Sequence, residues 1–341
     1  MSLDAILQEV NQTHELTELR KFSVNGYGTS KQHRTVYRLL LNISRTNYPS
    51  HLSPSPSNPF YQQIKKDSIR SLKEIKSPEL KELKRQQLVN VIVSVFDRNP
   101  DLSYTQGFHD IASLVLSFSK EPLAVLILEA LALGHLRPFL SHDLGGVSSI
   151  LNFIFPLLKL VDKELHRLLL INGFDSSLAT SYILTYFSHN ASTTEEGLRY
   201  LDFFIASHPL MPVYSLVVLL HKRRDTFIND DVDEGTIMQA FGNLLNDGIN
   251  PDDVIQCSVD LFNQMPPSKL LARDKTIKIS KECTFLNPEN KFPYQYSNFP
   301  HLDKFPMRLY KSRIGESKPN FVIQGLFTAL AVALAFRFLL E

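Results

Sequence analysis

The chain is short of glycine, with 13 in 341 residues, below the usual share of about 7%. Strand-like alternation is scarce and 3.6-residue periodicity is abundant, so the pattern favours an all-α protein. Cysteine is scarcer still. Cys257 and Cys283 stand alone, giving neither a disulfide framework nor a zinc spacing, as expected of a domain facing the cytosol. No GxxxxGK[ST] loop occurs. The nearest glycine cluster, Gly26-Tyr27-Gly28-Thr29-Ser30-Lys31, has the wrong spacing, follows no strand and reads as a loop before a helix. Excess charge is absent too: 36 basic against 35 acidic residues leave a formal net charge of +1, which argues against a general nucleic-acid binder. The N-terminus has no basic n-region or apolar h-region, which excludes a signal peptide.

Hydrophobic residues make up 43% of the chain, enough for a sizeable core. Leu3, Ile6, Leu7 and Val10 predict an amphipathic opening helix. Lys31 to Arg45 reads as a second helix, and His51 to Pro59 as a Pro/Ser-rich loop. Ser77-Pro78 predicts an N-cap with proline at the first helical position. Glu121 to Phe139, Val147 to Ile171 and Ser176 to Ser188 read as long, strongly apolar helices. Tyr200 to Tyr214 contains Pro209 and Pro212 and reads as a tight interhelical corner.

The chain is organised around Arg98-Asn99-Pro100-Asp101-Leu102-Ser103-Tyr104-Thr105-Gln106-Gly107-Phe108-His109-Asp110-Ile111. Pro100 disfavours αR at Asn99 and so ends the preceding helix. A short loop then delivers Tyr104, Gln106 and Gly107 to the start of the next one. There, free N–H groups and the helix dipole favour an anion, and a carboxamide can hold a water by donating and accepting together. Upstream, Ile64, Asp67 and Arg70 fall on one helical face, with Asp67 and Arg70 spaced to form an ion pair. His109-Asp110 raises the idea of a metal or acid/base pair. Adjacent residues do not share a helix face and no HExxH accompanies them, so capping and packing of the loop is the better reading.

Phe321 to Leu340 is nearly all apolar, and about 20 apolar residues cross a bilayer as a helix. Arg337 can snorkel to headgroups. Lys311, Arg313 and Lys318 lie just upstream, which keeps the N-terminal part in the cytosol. The expectation is a C-terminal membrane anchor after a poorly structured, proline-bearing segment.

Arg98-Asn99-Pro100 with Tyr104-Thr105-Gln106-Gly107 resembles the RNP and YxQG signature of TBC-domain Rab GTPase-activating proteins. Ile64 to Arg70 resembles that family's IxxDxxR motif, and the three motifs fall in the family's order. Tyr200 to Tyr214 and Leu261 to Ser268 resemble the LYDFFxxxHPLMPxY and LFxQxPPS segments of its branch anchored in the endoplasmic reticulum. The family's usual tryptophan is missing, and Tyr37 stands at about that place. The resemblance implies an all-α TBC fold of two helical lobes over residues 1–274, a linker over 275–318 and a transmembrane tail over 319–341. It implies that Arg70 is an arginine finger and Gln106 a glutamine finger, supplied in trans to a GTP-bound Rab of the early secretory pathway. Asp67 would orient Arg70, and Tyr104 and Gly107 would support the loop. GTP and Mg²⁺ would belong to the partner, leaving this chain without cofactor or metal, which fits its lack of a phosphate-cradling loop. The resemblance places the protein in the endoplasmic reticulum membrane, its catalytic domain cytosolic. A catalytically weak, membrane-anchored Rab-binding adaptor and a hydrolase using His109-Asp110 are the alternatives.

Overall fold

A computed structural model describes residues 1–43, 52, 54–72, 74–141, 145–228, 234–246 and 248–279. All of them belong to the unit Met1–Phe299. The expected linker beyond residue 279 and the apolar segment Phe321 to Leu340 lie outside the described residues. Among the described residues no helix is long and apolar enough to cross a membrane.

The described residues contain no strand and seventeen α-helices. The first seven are α1 Leu3–Thr13, α2 Thr17–Phe22, α3 Ser30–Leu40, α4 Tyr61–Ser68, α5 Pro78–Arg98, α6 Phe108–Phe118 and α7 Glu121–Leu133. Then come α8 Gly145–Leu151, α9 Ile154–Val161, α10 Lys163–Ile171, α11 Thr180–Leu184, α12 Thr194–Ala206 and α13 Met211–Lys222. The series closes with α14 Arg224–Phe227, α15 Glu234–Gly242, α16 Pro251–Gln264 and α17 Pro267–Arg273.

Local chemistry sets several starts. Ser77 accepts from the Leu80 amide at 3.3 Å with Pro78 opening α5. Thr29 and Gln32 form a reciprocal capping box at α3, which satisfies amides that have no partner within the helix. Elsewhere the helices are shorter than the apolar runs predict. The run from Lys31 stops at Leu40, and Asn42 turns left-handed at φ 52°. The run from Glu121 ends at Leu133, before a 3₁₀ turn over Arg137–Phe139 that contains Pro138. Val147 to Ile171 divides into α8, α9 and α10. Pro156 lies in the first turn of α9, where it needs no intrahelical donor, and Asp162 caps α10 by accepting from the Leu165 amide at 3.0 Å. Ser176 to Ser188 holds only a 3₁₀ turn and α11, after which Tyr186 and Phe187 take positive φ. The short α2 carries no long periodic run and was not expected from the sequence.

Two helical groups share one core. In the first, α5 packs on α4, α6 and α7, and α3 packs on α6. The second half of α5 is buried from Leu88 to Phe96, apart from the half-buried Asn90. In the second group, α13 is buried from Met211 to Leu220 and packs on α9, α11 and α16. Between them α12 packs on both α6 and α16.

The α12 carboxylate Asp202 is buried and fully engaged. It accepts from the Tyr27 amide at 3.1 Å, the Tyr37 hydroxyl at 2.8 Å and His33 Nε2 at 3.0 Å. His33 Nδ1 lies 3.0 Å from the Thr29 carbonyl oxygen. Both ring nitrogens thus face acceptors, and the imidazolium satisfies both. Burial pushes the His33 pKa down, but the Asp202 hydrogen bond and charge, with the Thr29 carbonyl, more than reverse it, so the pKa rises above its ordinary value.

His135 behaves oppositely. Burial, then the nearby Arg20 charge, push it from 6.5 to about 3 against an opposing backbone hydrogen bond at Ile205. A depressed folded pKa means that the unfolded chain binds the proton first as pH falls. The stability from neutral His135 is therefore complete above pH 6.5 and drains away between 6.5 and about 3, by up to about 1.4 kcal/mol per pH unit. Urea unfolding across this range should give a steeper acid decline for the native chain than for His135→Gln, provided that variant folds. Parallel declines would mean that His135 does not carry the linkage.

Candidate functional site

The RNP segment locks α5 to α7. Arg98 forks onto Glu129, Nε to Oε1 at 2.8 Å and Nη2 to Oε2 at 2.9 Å. Asn99 Nδ2 donates to the Val95 carbonyl oxygen at 2.8 Å and to Glu129 at 2.9 Å. Bidentate pairing fixes direction as well as distance. The Glu129 hydrogen bond raises the Arg98 pKa against partial burial.

The loop that follows is pinned along its length. The Leu102 amide donates to the Asn99 carbonyl oxygen at 3.0 Å, and the Ser103 amide donates to that of Leu140 at 2.8 Å. Thr105 Oγ1 donates to the Phe139 carbonyl oxygen at 2.8 Å. Phe60, Phe96 and Phe108 back it as an aromatic cluster, with Tyr104 edge-on to Phe96 at 5.6 Å.

The loop ends in a turn. The Phe108 amide donates to the Thr105 carbonyl oxygen at 3.2 Å, so Gln106 and Gly107 hold the central positions. Gly107 has φ 106° and ψ −27°, near the type II region that favours glycine at the second of them. It is also the N-cap of α6, so Gln106 sits just before that helix as the sequence predicts.

Asp67 and Tyr104 connect this loop to α4. Asp67 is buried and accepts from Gln63 Nε2 at 3.1 Å to each carboxylate oxygen, and from the Tyr104 hydroxyl at 3.0 Å. Burial, followed by the Asp67 charge and hydrogen bond and the Asp110 charge, holds the Tyr104 pKa well above its ordinary value. Tyr104 therefore stays a donor.

The expected ion pair between Asp67 and Arg70 is not formed. Helix α4 stops at Ser68 and the chain goes on in i→i+3 turns, but the buried Asp67 carboxylate is already taken by Gln63 and Tyr104. Arg70 is exposed, and only its amide binds Asp67, at 3.0 Å to the carbonyl oxygen. Beyond it Leu72 takes φ 61°, and Glu74 accepts from the Thr194 amide at 2.6 Å and hydroxyl at 2.9 Å. The Arg70 guanidinium and the half-buried Gln106 carboxamide have no side-chain partner among the described residues.

His109 and Asp110 pack under the turn. His109 Nδ1 accepts from the Gly107 amide at 3.2 Å and lies 3.4 Å from the Tyr104 hydroxyl. Its Nε2 lies 3.4 Å from Asp110 Oδ1, and Asp110 Oδ2 lies 2.9 Å from His189 Nδ1. Among the described residues no cluster of His, Cys, Asp or Glu could hold a metal ion. Sequence reasoning missed Glu129, Glu74 and His189, each a long-range anchor without a local spacing signal.

Gly107 has no room for a side chain, because a Cβ would stand 2.8 Å from Thr185 Cγ2 and 3.3 Å from Leu184 Cδ2. Gly107→Ala combines that overlap with a positive φ and should cost about 1–3 kcal/mol. Denaturant unfolding at constant m-value would measure it, and a loss under 0.5 kcal/mol, on the order of a surface change, would contradict the geometry.

The Rab-GTPase-TBC domain family model matches residues 21–228. TBC1 domain family member 20 of Bos taurus is 31% identical over 288 residues, covering 82% of this chain and 71% of that protein. GTPase-activating protein gyp10 of Schizosaccharomyces pombe is 29% identical over 309 residues, 89% of this chain and 82% of its own. In structure, the chain is similar to a Chlamydomonas flagellar RabGAP TBC domain, with a TM-score of 0.59 at 17% identity over 74% of this chain and 89% of that one. It is similar also to the Ypt/Rab-GAP domain of Gyp1p, with a TM-score of 0.60 at 16% identity over 77% and 98%. The motifs, the helical fold and this coverage together establish that the chain belongs to the Rab-GTPase-TBC domain family.

Proposed function

We propose that this protein is a GTPase-activating protein for a GTP-bound Rab, supplying Arg70 and Gln106 in trans. The observation that carries the reading is the 3.0 Å hydrogen bond from Tyr104 to Asp67. It ties the segment ending in Arg70 to the segment ending in Gln106, while both terminal side chains stay uncommitted. An arginine brought to the γ-phosphate stabilises developing charge, an effect of about 10³–10⁵ in rate. A carboxamide that accepts from the attacking water and donates toward the phosphate replaces the positioning group of the GTPase. GTP and Mg²⁺ belong to the partner in this reading, and the chain requires no cofactor.

In this reading the catalytic domain spans residues 1–274, and residues 275–318 are the linker that follows it. Residues 319–341 form the anchor that holds the protein to the endoplasmic reticulum membrane, facing an early secretory Rab. The support is the apolar composition of Phe321 to Leu340 behind Lys311, Arg313 and Lys318, with the segmental resemblance to the anchored branch.

A panel of purified GTP-loaded Rabs incubated with the full-length chain tests the activity. Arg70→Ala should lower stimulated hydrolysis by about 10³-fold without loss of folding, since Arg70 is exposed. A Rab whose own catalytic Gln is changed to Leu should still respond to the native chain but not to Gln106→Ala. The Gln106 change should lower kcat more than it raises KM, because its contact matters most in the transition state. Full activity of Arg70→Ala on the normal Rab would remove the arginine-finger assignment. A Gln→Leu Rab inert to the native chain, with a normal Rab fully responsive to Gln106→Ala, would remove that of Gln106.

Removal of residues 319–341 should release the protein from membranes into the alkaline carbonate supernatant. Retention of the shortened chain in the pellet would place the anchor elsewhere.

A further inference from the structure

We propose that His109 is a positioning residue for Gln106, acting as a catch on the peptide bond between Gln106 and Gly107. The inference rests on the glutamine-finger reading above and specifies how the finger is aimed. Turns of types I and II differ mainly by a flip of their central peptide. Here that peptide joins Gln106 to Gly107, and its N–H is the one that donates to His109 Nδ1 at 3.2 Å. Accepting a backbone N–H requires a bare Nδ1, so the proton of the neutral ring sits on Nε2. Nε2 faces Asp110 Oδ1 at 3.4 Å, and Asp110 is itself held 2.9 Å from His189 Nδ1. The Tyr104 hydroxyl is closer to Asp67, at 3.0 Å, than to His109 Nδ1, at 3.4 Å. Its proton goes to the carboxylate and leaves the Nδ1 lone pair to the Gly107 amide.

The consequence for Gln106 is geometric. The plane of the following peptide sets the ψ torsion of Gln106, and the rotamers open to its side chain depend on that torsion. Thr105 is held on one side by its bond to Phe139, and on the other Thr185 and Leu184 crowd the space beside Gly107. The flip of the intervening peptide is the remaining freedom, and the buried imidazole opposes it. Such a residue contributes to rate without touching the nucleotide, as positioning groups do.

Two amides separate the functions of the ring. The shorter side chain of His109→Asn would place its oxygen near the position of Nδ1. The longer one of His109→Gln would reach toward Asp110 like Nε2 and leave a methylene in place of Nδ1. With the full-length protein and a responsive GTP-loaded Rab, His109→Gln should lower kcat about fivefold, the factor set by one lost hydrogen bond, with KM nearly unchanged. His109→Asn should keep most of the activity. Thermal unfolding of all three forms identifies a folding failure, and ¹⁵N shifts of the native histidine rings report the His109 tautomer without any variant. A protonated Nδ1, native kcat in a folded His109→Gln, or equal losses of kcat in both variants would overturn the proposal. If the native chain stimulates no Rab, the activity reading itself fails, while the ring tautomer still tests the catch.

Discussion

A buried carboxylate must be answered by donors, and Asp67 is answered from two segments at once. Gln63 reaches it from its own helix, and Tyr104 from a loop 37 residues away. An unpaired buried charge is far more costly than a satisfied one, so the bond between Asp67 and Tyr104 resists opening. It ties α4 to the Gln106 loop. Other contacts at the site add to that coupling: the aromatic cluster behind Tyr104, the Arg98 fork onto Glu129 and the clasp of Thr105 on Phe139.

The backbone of the site is thus pinned at several points, whereas the Arg70 and Gln106 side chains have no side-chain partner among the described residues. In the proposed reading a partner orders these two side chains when it binds, at a cost of up to about 2 kcal/mol each. Glu74, bound to Thr194, closes the far end of the Arg70 segment, and the positive φ of Leu72 marks where the chain bends to reach it. Backbone placement matters because a displacement of about 1 Å in a catalytic group can cost about 10²-fold in rate.

Much of this was legible from residues with strong local rules. Pro100 and Gly107 set the end of α5 and the start of α6, and Ser77-Pro78 set the start of α5. The all-α class followed from periodicity. Legibility ended where a rule needed a distant partner. Glu129 lies 31 residues from Arg98, and His189 lies 79 from Asp110, so no spacing announced them. The Asp67 and Arg70 pairing failed because Asp67 is buried on Gln63 and the distant Tyr104 while Arg70 stays exposed. The long apolar runs misled for another reason. Apolar residues also stand on the exposed faces of α9 and α10, as Leu160, Leu170 and Ile171 do, so the run hides the breaks near Pro156 and Asp162, which rest on single residues.

The segment around Asp202 reads from sequence as a structural corner, and its contacts give that corner a wider reach. Helix α12 receives Glu74 at its N-terminus through Thr194, and at its middle Asp202 binds the loop before α3 and α3 itself. Between those points Gly197 brings α12 so near α6 that a Cβ would stand 3.1 Å from both terminal carbons of Leu114. One helix thus touches the end of the Arg70 segment, the N-terminal helices and the helix that Gln106 precedes. Close packing transmits small shifts instead of absorbing them. A bulkier residue at position 197 would press on Leu114 of α6, the helix that Gln106 precedes, so the spacing of α12 and α6 bears on that helix as the bond between Asp67 and Tyr104 bears on the loop before it.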